Sequence, residues 1–446
     1  MTTSEFIARF RTSNPRDLAF QARRYPDVDM PFALNQIQGW QTARQKLPSW
    51  AAADGVVYPP HLNMEQCSSE PAARYKQEVA ERWIARCRAA DGHESKPDEL
   101  KSQGSSPKTR MADLTGGFGV DFSFTSRCFD EATYVERDAA LCAVVGGNLP
   151  CLGIGNARVV CAEADDFLKD MEPQTMLFLD PARRDMNGAK TVFIADCTPD
   201  VTALLPQLMA KSRFVMLKLS PMLDWHKAVA DLQGNVREVH IVSVGGECKE
   251  LLLVMSGSFE GEAMRVVCVD ISAKADADGN ISRSSFAYTN GTESLEGVSS
   301  SRSTLDIKKA RQTAKPSAIV SSGSSTPPLY LYEPNASVMK AGCFAELSCA
   351  YGVGAVSRNS HLFLSSDRVE GFPGRSFVVD ALTTMNKREL RQALGGLKQA
   401  NIAVRNFPMS VAELRKRLKL KDGGDTYIFA TTTGDDEHVL LVCHKA

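Results

Sequence analysis

The chain has no apolar run that approaches the roughly 18 residues a membrane helix needs, and its opening, MTTSEFIARF, holds no signal-peptide core. It also lacks net charge. At a formal −1 over 446 residues, no global field draws it to nucleic acid or lipid, so any such affinity must come from a local patch. Twelve cysteines are present, yet no two form a C-x-x-C pair, and Cys161, Cys268 and Cys443 lie within apolar strand-like runs. This pattern argues for buried reduced thiols rather than zinc or disulfides, and hence for a cytoplasmic, metal-free chain with no membrane partner. What remains is ordinary for a globular protein, 43% apolar and 24% charged, and the length predicts about two to four domains.

The strongest local signal is residues 111–121, MADLTGGFGVD. An apolar run ends in Asp113 and opens into Gly116, Gly117 and Gly119, the composition of a strand entering a ligand-cradling turn. Residues 134–138, YVERD, read as a second strand with Glu136 at its end, 23 residues after Asp113, where a Rossmann-like fold places the carboxylate that grips ribose hydroxyls. Residues 157–162 then form a third strand running into Glu163, Ala164, Asp165 and Asp166, and 175–180 a buried strand carrying Asp180, Pro181, Ala182, Arg183 and Arg184 at its carboxyl end. A dehydrogenase would require G-x-G-x-x-G, and the run from Gly116 to Phe122 supplies no third spaced glycine.

In this order and at these distances the motifs resemble those of class I S-adenosylmethionine-dependent methyltransferases, over roughly residues 62–256. The resemblance implies a Rossmann-like seven-stranded core, with strands five to seven expected at 213–219, 236–244 and 251–255 and Gly245-Gly246 turning the last hairpin. Its implied cofactor is S-adenosyl-L-methionine. Asp113, Thr115 and the amides of Gly116, Gly117 and Gly119 would hold the methionine part, Glu136 with Arg137 the ribose, and Glu163, Ala164 and Asp165 the adenine. Upstream, Gln66, Ser69 and Glu70 fit the segment that folds over the methionine end, although Ser68 or Ser69 before Glu70-Pro71 also reads as a helix cap. Asp121 reads as a cap of the following helix.

Catalysis is implied at Asp180, Pro181 and Arg183. Amino-group methyltransferases carry Asp or Asn before Pro-Pro-aromatic, and this chain departs from that pattern at Ala182 and Arg183. The D-P-x-R ending is also similar to that of uracil-C5 methyltransferases, but residues 217–221, LKLSP, supply no nucleophilic cysteine. Methylation of a base nitrogen is the reading favoured, with Asp180 accepting from the amine and the arginines gripping phosphate or stacking.

Outside the core, residues 1–61 alternate helical patches with proline breaks, and Trp40 and Trp50 are expected in a core. Residues 91–109 read as an exposed polar loop. A small α+β, ferredoxin-like region is expected at 262–375, with serine-dense connections around 299–301 and 321–325 and a helix at 304–313. Residues 376–446 read as β-α-β-α-β-β, and residues 332–334, 374–377, 404–407 and 414–418 resemble a THUMP-like domain. That resemblance implies an RNA partner, tRNA or rRNA. Between Asp380 and Asp422 ten Lys or Arg stand against Glu389 and Glu413, and Lys387, Arg388, Arg391, Arg405, Arg415, Lys416 and Arg417 are the phosphate-contact candidates. Two alternatives stay open: a non-catalytic cofactor-binding RNA-binding protein, and a methyltransferase acting on protein or small molecules.

Overall fold

The computed structural model of the chain describes residues 1–91, 107–183, 194–274, 276, 280–290 and 328–446. Most of the loop expected at 91–109, the serine-dense segments, the helix at 304–313 and Arg184 fall outside the described residues. Two units divide the chain: one made of Met1–Val244 with Lys249–Arg265, the other of Asp276–Ala446 with Val266–Ser272 and Gly245–Cys248.

In the first unit, short runs dense in Val, Leu, Phe and Met form strands, the inner ones largely buried on both faces, as parallel sheets require, and the edge one at residues 157–161 partly exposed. These are β1 (Arg110–Asp113), β2 (Glu131–Glu136), β3 (Ala157–Cys161), β4 (Gln174–Leu179), β5 (Ser212–Leu219), β6 (Val236–Val244) and β7 (Glu247–Met255). Their order is β3-β2-β1-β4-β5-β7-β6, parallel from β3 to β5, with β7 antiparallel to β5. This is the expected Rossmann-like core. Gly245 and Gly246 adopt φ of 63° and 79° between β6 and β7, a turn that a side chain would strain. The order reverses between β1 and β4, so the carboxyl ends of β1, β2 and β4 open onto a topological switch point, where ligands of open α/β sheets bind.

Helices α1 (Thr3–Phe10), α2 (Pro15–Ala19), α3 (Met30–Lys46) and α4 (Pro48–Ala52) make the helical preamble. A Thr2/Glu5 capping box starts α1, and Phe6, Leu18, Val28, Met30, Ala33 and Ile37 share one core. As the sequence suggested, Trp50 is buried and packs on Phe118, while the Trp40 indole donates to Ala51 O at 3.0 Å. After α5 (His61–Gln66), Pro71 starts the long α6 (Glu70–Ala90), which lays Ala72, Ala73, Tyr75, Val79, Ala80, Trp83 and Cys87 against the core at helical spacing. The Tyr75 hydroxyl bonds His240 Nδ1 at 2.8 Å, and the Trp83 indole donates to Glu238 at 3.0 Å, fastening α6 to β6. The sheet crossovers and flanking helices are α7 (Val120–Thr125), α8 (Ala139–Cys151), α9 (Ala164–Asp170), α10 (Val201–Ala210) and α11 (Trp225–Asp231).

The second unit contains the pair β8 (Arg265–Ile271) and β9 (Arg283–Thr289), and a seven-stranded sheet. That sheet is built from β10 (Tyr330–Pro334), β11 (Gly354–Ala355), β12 (Phe363–Ser365), β13 (Gly374–Thr384), β14 (Asn401–Arg405), β15 (Tyr427–Thr432) and β16 (His438–Lys445). Helices α12 (Ala336–Ala341) and α13 (Phe344–Tyr351) precede β11, whereas α14 (Lys387–Ala393) and α15 (Val411–Leu418) follow β13 and β14, giving the expected β-α-β-α-β-β order. Strands β10 and β13 pair directly, Tyr332 with Ser376 and Pro334 with Gly374, so one sheet runs across residues 375 and 376. Alternation divides its side chains between two cores: Phe377, Phe429 and Leu441 on one face, and Ile428, Ala430 and Leu440 with α15's Leu414 on the other.

Gly374 is required by that pairing, because a Cβ there would stand 2.1 Å from the Glu333 carbonyl oxygen. Replacing it, Gly374→Ala, is expected to destabilise the second unit by about 1–3 kcal/mol, the usual cost of an overpacked interior. A thermal melt of the full chain followed by hydrogen exchange on β10 and β13 checks this, and unchanged protection there would refute the packing argument.

Candidate functional site

The carboxyl end of β1 delivers Asp113, only 2% exposed, into the base of the glycine turn. Its Oδ1 accepts from Thr115 N at 3.0 Å. Burial pushes this carboxyl well above the usual range and the Thr115 amide opposes the shift, while the nearby carboxylates of Asp121, Asp180 and Glu136 add to it. The turn itself needs glycine for two different reasons. Gly117 and Gly119 have φ of 52° and 77°, whereas at Gly116 a Cβ would fall 2.1 Å from the Tyr134 ring.

Strand β2 ends in Glu136, whose Oε2 accepts from Gly117 N and whose Oε1 accepts from Asp138 N, both at 2.9 Å. The Tyr134 hydroxyl also donates to the Gly117 carbonyl. The turn is therefore tied to β2 on both sides of its tightest residue. A carboxylate held this way keeps lone pairs for a vicinal diol, and the half-buried Gly117, with no side chain, leaves room beside it. Ala162 N donates to Glu136 O at 3.1 Å and brings the turn after β3 alongside. There Glu163 and Asp165 are exposed and Ala164 is buried; Arg137, one residue past Glu136, is exposed as well.

Asp180 follows β4 on the other side of the switch point. Its backbone N donates to Thr115 Oγ1 at 2.6 Å, so one threonine links the glycine turn to the candidate catalytic residue. Its carboxylate, 40% exposed, receives Lys218 Nζ on Oδ2 at 2.6 Å. Among the described residues Oδ1 has no hydrogen-bond donor. Pro181 is buried behind it, and Ala182–Arg183 pair as a short strand with Cys197–Thr198.

Beneath Asp180 lies a cluster the sequence reading missed. Lys76, fully buried on α6, bonds Glu250 of β7, lies 3.2 Å from Asp121 Oδ1, and donates to Ser68 Oγ at 3.2 Å. Ser68 in turn donates to Asp121 Oδ2 at 2.8 Å, and Lys218 Nζ stands 3.5 Å from the same oxygen. Burial pushes the Asp121 carboxyl up, but Lys76, Lys218 and Ser68 outweigh it and hold the group below its usual range. Burial likewise raises Glu250, against the pull of Lys76 and Lys218.

Two sequence readings change as a result. Asp121 does not cap α7: the N-cap is Gly119, with no side-chain bond, because Asp121 turns inward to the lysines. Ser69 is the N-cap of α6 but makes no capping bond, and it is the neighbouring Ser68 that reaches the cluster. Glu70 is buried and its carboxylate is taken by Ser49 N and Oγ, each at 2.8 Å, and by Arg74. Gln66 is exposed at the end of α5. One signal was available: Lys76 interrupts an otherwise apolar stripe, and Lys218 sits inside an apolar strand.

In the second unit Lys387, Arg388 and Arg391 are exposed along α14 and line a surface depression with Gln392, while Lys416 and Arg417 are exposed on α15. The other two candidates are engaged elsewhere. Arg405 bonds the buried Glu333 at 2.8 Å, together with Arg375, and Arg415 bonds Asp422 at 2.6 Å. Among the described residues no His/Cys/Asp/Glu group could hold a metal and no helix is long and apolar enough to cross a membrane. No disulfide joins any of the twelve cysteines, and Cys161 is exposed rather than buried because β3 is the sheet's edge.

Comparison with known proteins places two family models on the second unit, a ferredoxin-like domain at residues 330–373 and a THUMP domain-like family at 374–445. Among solved structures, the chain is similar over 100% of its length to 99% of a protein of Porphyromonas gingivalis W83 provisionally described as a methyltransferase, with 26% identity and a TM-score of 0.73. A Pyrococcus horikoshii protein provisionally described as an RNA methyltransferase matches 50% of this chain and 98% of its own at 12% identity and a TM-score of 0.31. A Streptococcus mutans protein provisionally described as a methyltransferase, solved in complex with SAH, matches 33% of this chain and 88% of its own at 13% identity and a TM-score of 0.25. These last two superpose only weakly. No curated protein matches the chain.

Removing the buried cation should be costly, since it strands Asp121 and Glu250 without compensation. Lys76→Met is expected to destabilise the first unit by about 3–5 kcal/mol. Pairing it with Glu250→Leu should recover much of that loss in urea melts, and a double variant as unstable as the single one would show that the ion pair is not the cause.

Proposed function

We propose that this chain, a class I methyltransferase by fold that ends in a THUMP-like domain, transfers a methyl group from S-adenosylmethionine to a base nitrogen in structured RNA. The observation that carries the reading is the placement of Asp180: a half-exposed carboxylate at the switch point, anchored through Thr115 to the glycine turn, with Oδ1 left open. Asp113, Thr115 and the amides of the 116–119 turn would hold the cofactor's amino-acid part, and Glu136 its ribose hydroxyls. The donor set fits, because Gly117 can accept no side chain without strain and Glu136 is already oriented by two amides. When bound, the cofactor supplies an electrophilic methyl carbon on a sulfonium.

The residues of the chain then have positioning and proton-handling to do, with no metal required. Asp180 Oδ1 accepts an N–H of the base amine and turns the nitrogen lone pair toward the methyl carbon. Methylation would leave the nitrogen cationic as the methyl–sulfur bond breaks with its electron pair kept by sulfur, and the proton the nitrogen then loses would pass to the carboxylate or to water. The exposed Lys387, Arg388, Arg391, Lys416 and Arg417 support an RNA substrate, since clustered cations neutralise phosphates whatever the sequence.

The test is transfer of radiolabelled methyl from S-adenosylmethionine to undermodified total RNA. Asp180→Ala should lower turnover about 10²-fold or more while leaving cofactor affinity unchanged. Label in RNA with the parent protein alone establishes the reading, and digestion identifies the nucleotide. Cofactor binding without any transfer to RNA would overturn it in favour of a protein or small-molecule substrate or a non-catalytic binder.

A second expectation concerns the basic helices. Lys387→Ala/Arg388→Ala/Arg391→Ala should weaken RNA binding and flatten its salt dependence by about one unit of log–log slope for each phosphate that the three side chains neutralise. Fluorescence anisotropy across a salt series measures this, and an unchanged slope removes α14 from the interface.

A further inference from the structure

We propose that Lys218 is a positioning residue for Asp180, occupying Oδ2 so that Oδ1 alone meets the substrate nitrogen. The inference rests on the reading of Asp180 as the amine's acceptor. Its geometry is independent of that reading.

A carboxylate on a short side chain ordinarily turns about its last bond and exchanges its two oxygens. Here the backbone of Asp180 is fixed to Thr115 at 2.6 Å and Oδ2 to Lys218 at 2.6 Å, which leaves Oδ1 of this 40% exposed side chain as the oxygen without a donor among the described residues. The lysine is in turn confined. Its side chain is 11% exposed, its ammonium is shared with Asp121 at 3.5 Å, and Asp121 is held by Ser68 at 2.8 Å and Lys76 at 3.2 Å. Two ordered shells thus stand behind the acceptor, as a site accurate to a fraction of an ångström requires.

Charge supports the same assignment. Lys218 from β5 stands among Asp180, Asp121 from α7 and Glu250 from β7, and Lys76 from α6 contacts the last two. Lys218 is not itself a base. Burial works against its ammonium, but Asp180, Asp121 and Glu250 outweigh burial and hold it well above its usual value, so it stays protonated and can only donate.

The experiment uses full-length Lys218→Met and Lys218→Arg beside the parent, with kcat, KM and cofactor affinity measured separately and the Asp180 carboxyl line recorded by ¹³C NMR. In Lys218→Met, kcat should fall about 10- to 100-fold with KM and cofactor affinity unchanged, the penalty of a misplaced reacting group. The Asp180 carboxyl line should move as its fixed oxygen is released, and Lys218→Arg, which can still donate to Oδ2, should restore most of the rate. If Lys218→Met does not fold, Lys218→Met/Asp121→Asn removes the stranded carboxylate and carries the same NMR test. An unmoved Asp180 carboxyl line, or a parental kcat in Lys218→Met, overturns the inference. Absence of any methyl transfer by the parent would overturn the function instead, and the NMR line would still decide the role of Lys218.

Discussion

Two ammonium groups lie between α6 and the strand ends of the first unit, and taking them out of water costs several kcal/mol each unless carboxylates surround them. Lys76 reaches Glu250, Asp121 and Ser68, and Lys218 reaches Asp121 and Asp180. Each carboxylate is therefore shared or opposed, and no member can move without stranding another. The constraint fixes α6 against β7 and the start of α7, and it determines where Asp180 stands at the end of β4. Stability of the core and geometry of the candidate catalytic residue are consequently one problem.

The glycine turn is organised by a second set of bonds. Tyr134 fills the space a side chain at Gly116 would need, donates to the Gly117 carbonyl, and leaves the Gly117 amide to Glu136. A turn tied down on both sides needs little reorganisation to receive a ligand, and Thr115 transmits its position directly to Asp180. Cofactor cradle and acceptor are thus registered to each other by short hydrogen bonds within one unit.

In the second unit, basic residues divide by what lies near them. Arg375 and Arg405 close on the buried carboxylate of Glu333, which would otherwise be an uncompensated charge, and so serve the sheet. Lys387, Arg388, Arg391, Lys416 and Arg417 remain at the surface of α14 and α15. On α15 the last-turn cations also complement the helix dipole, so their presence has a structural reason alongside the proposed phosphate contacts.

Local patterns in the chain determined much of the outcome: the seven core strands with Asp113, Glu136 and Asp180 at their ends, the hairpin at Gly245-Gly246, and the β-α-β-α-β-β order of the last domain. Such features follow from residue spacing, since a buried parallel strand must be apolar and a tight turn must be permissive. The pairing of β10 with β13, the engagement of Arg405 by Glu333, the inward turn of Asp121 and the lysine cluster were decided only in three dimensions. Asp121 and Lys76 lie 45 residues apart and Lys76 and Glu250 174 apart, and no local rule says which buried charges will meet. That choice belongs to the packed fold, where the desolvation of each charge must be matched by a partner brought in from elsewhere in the chain.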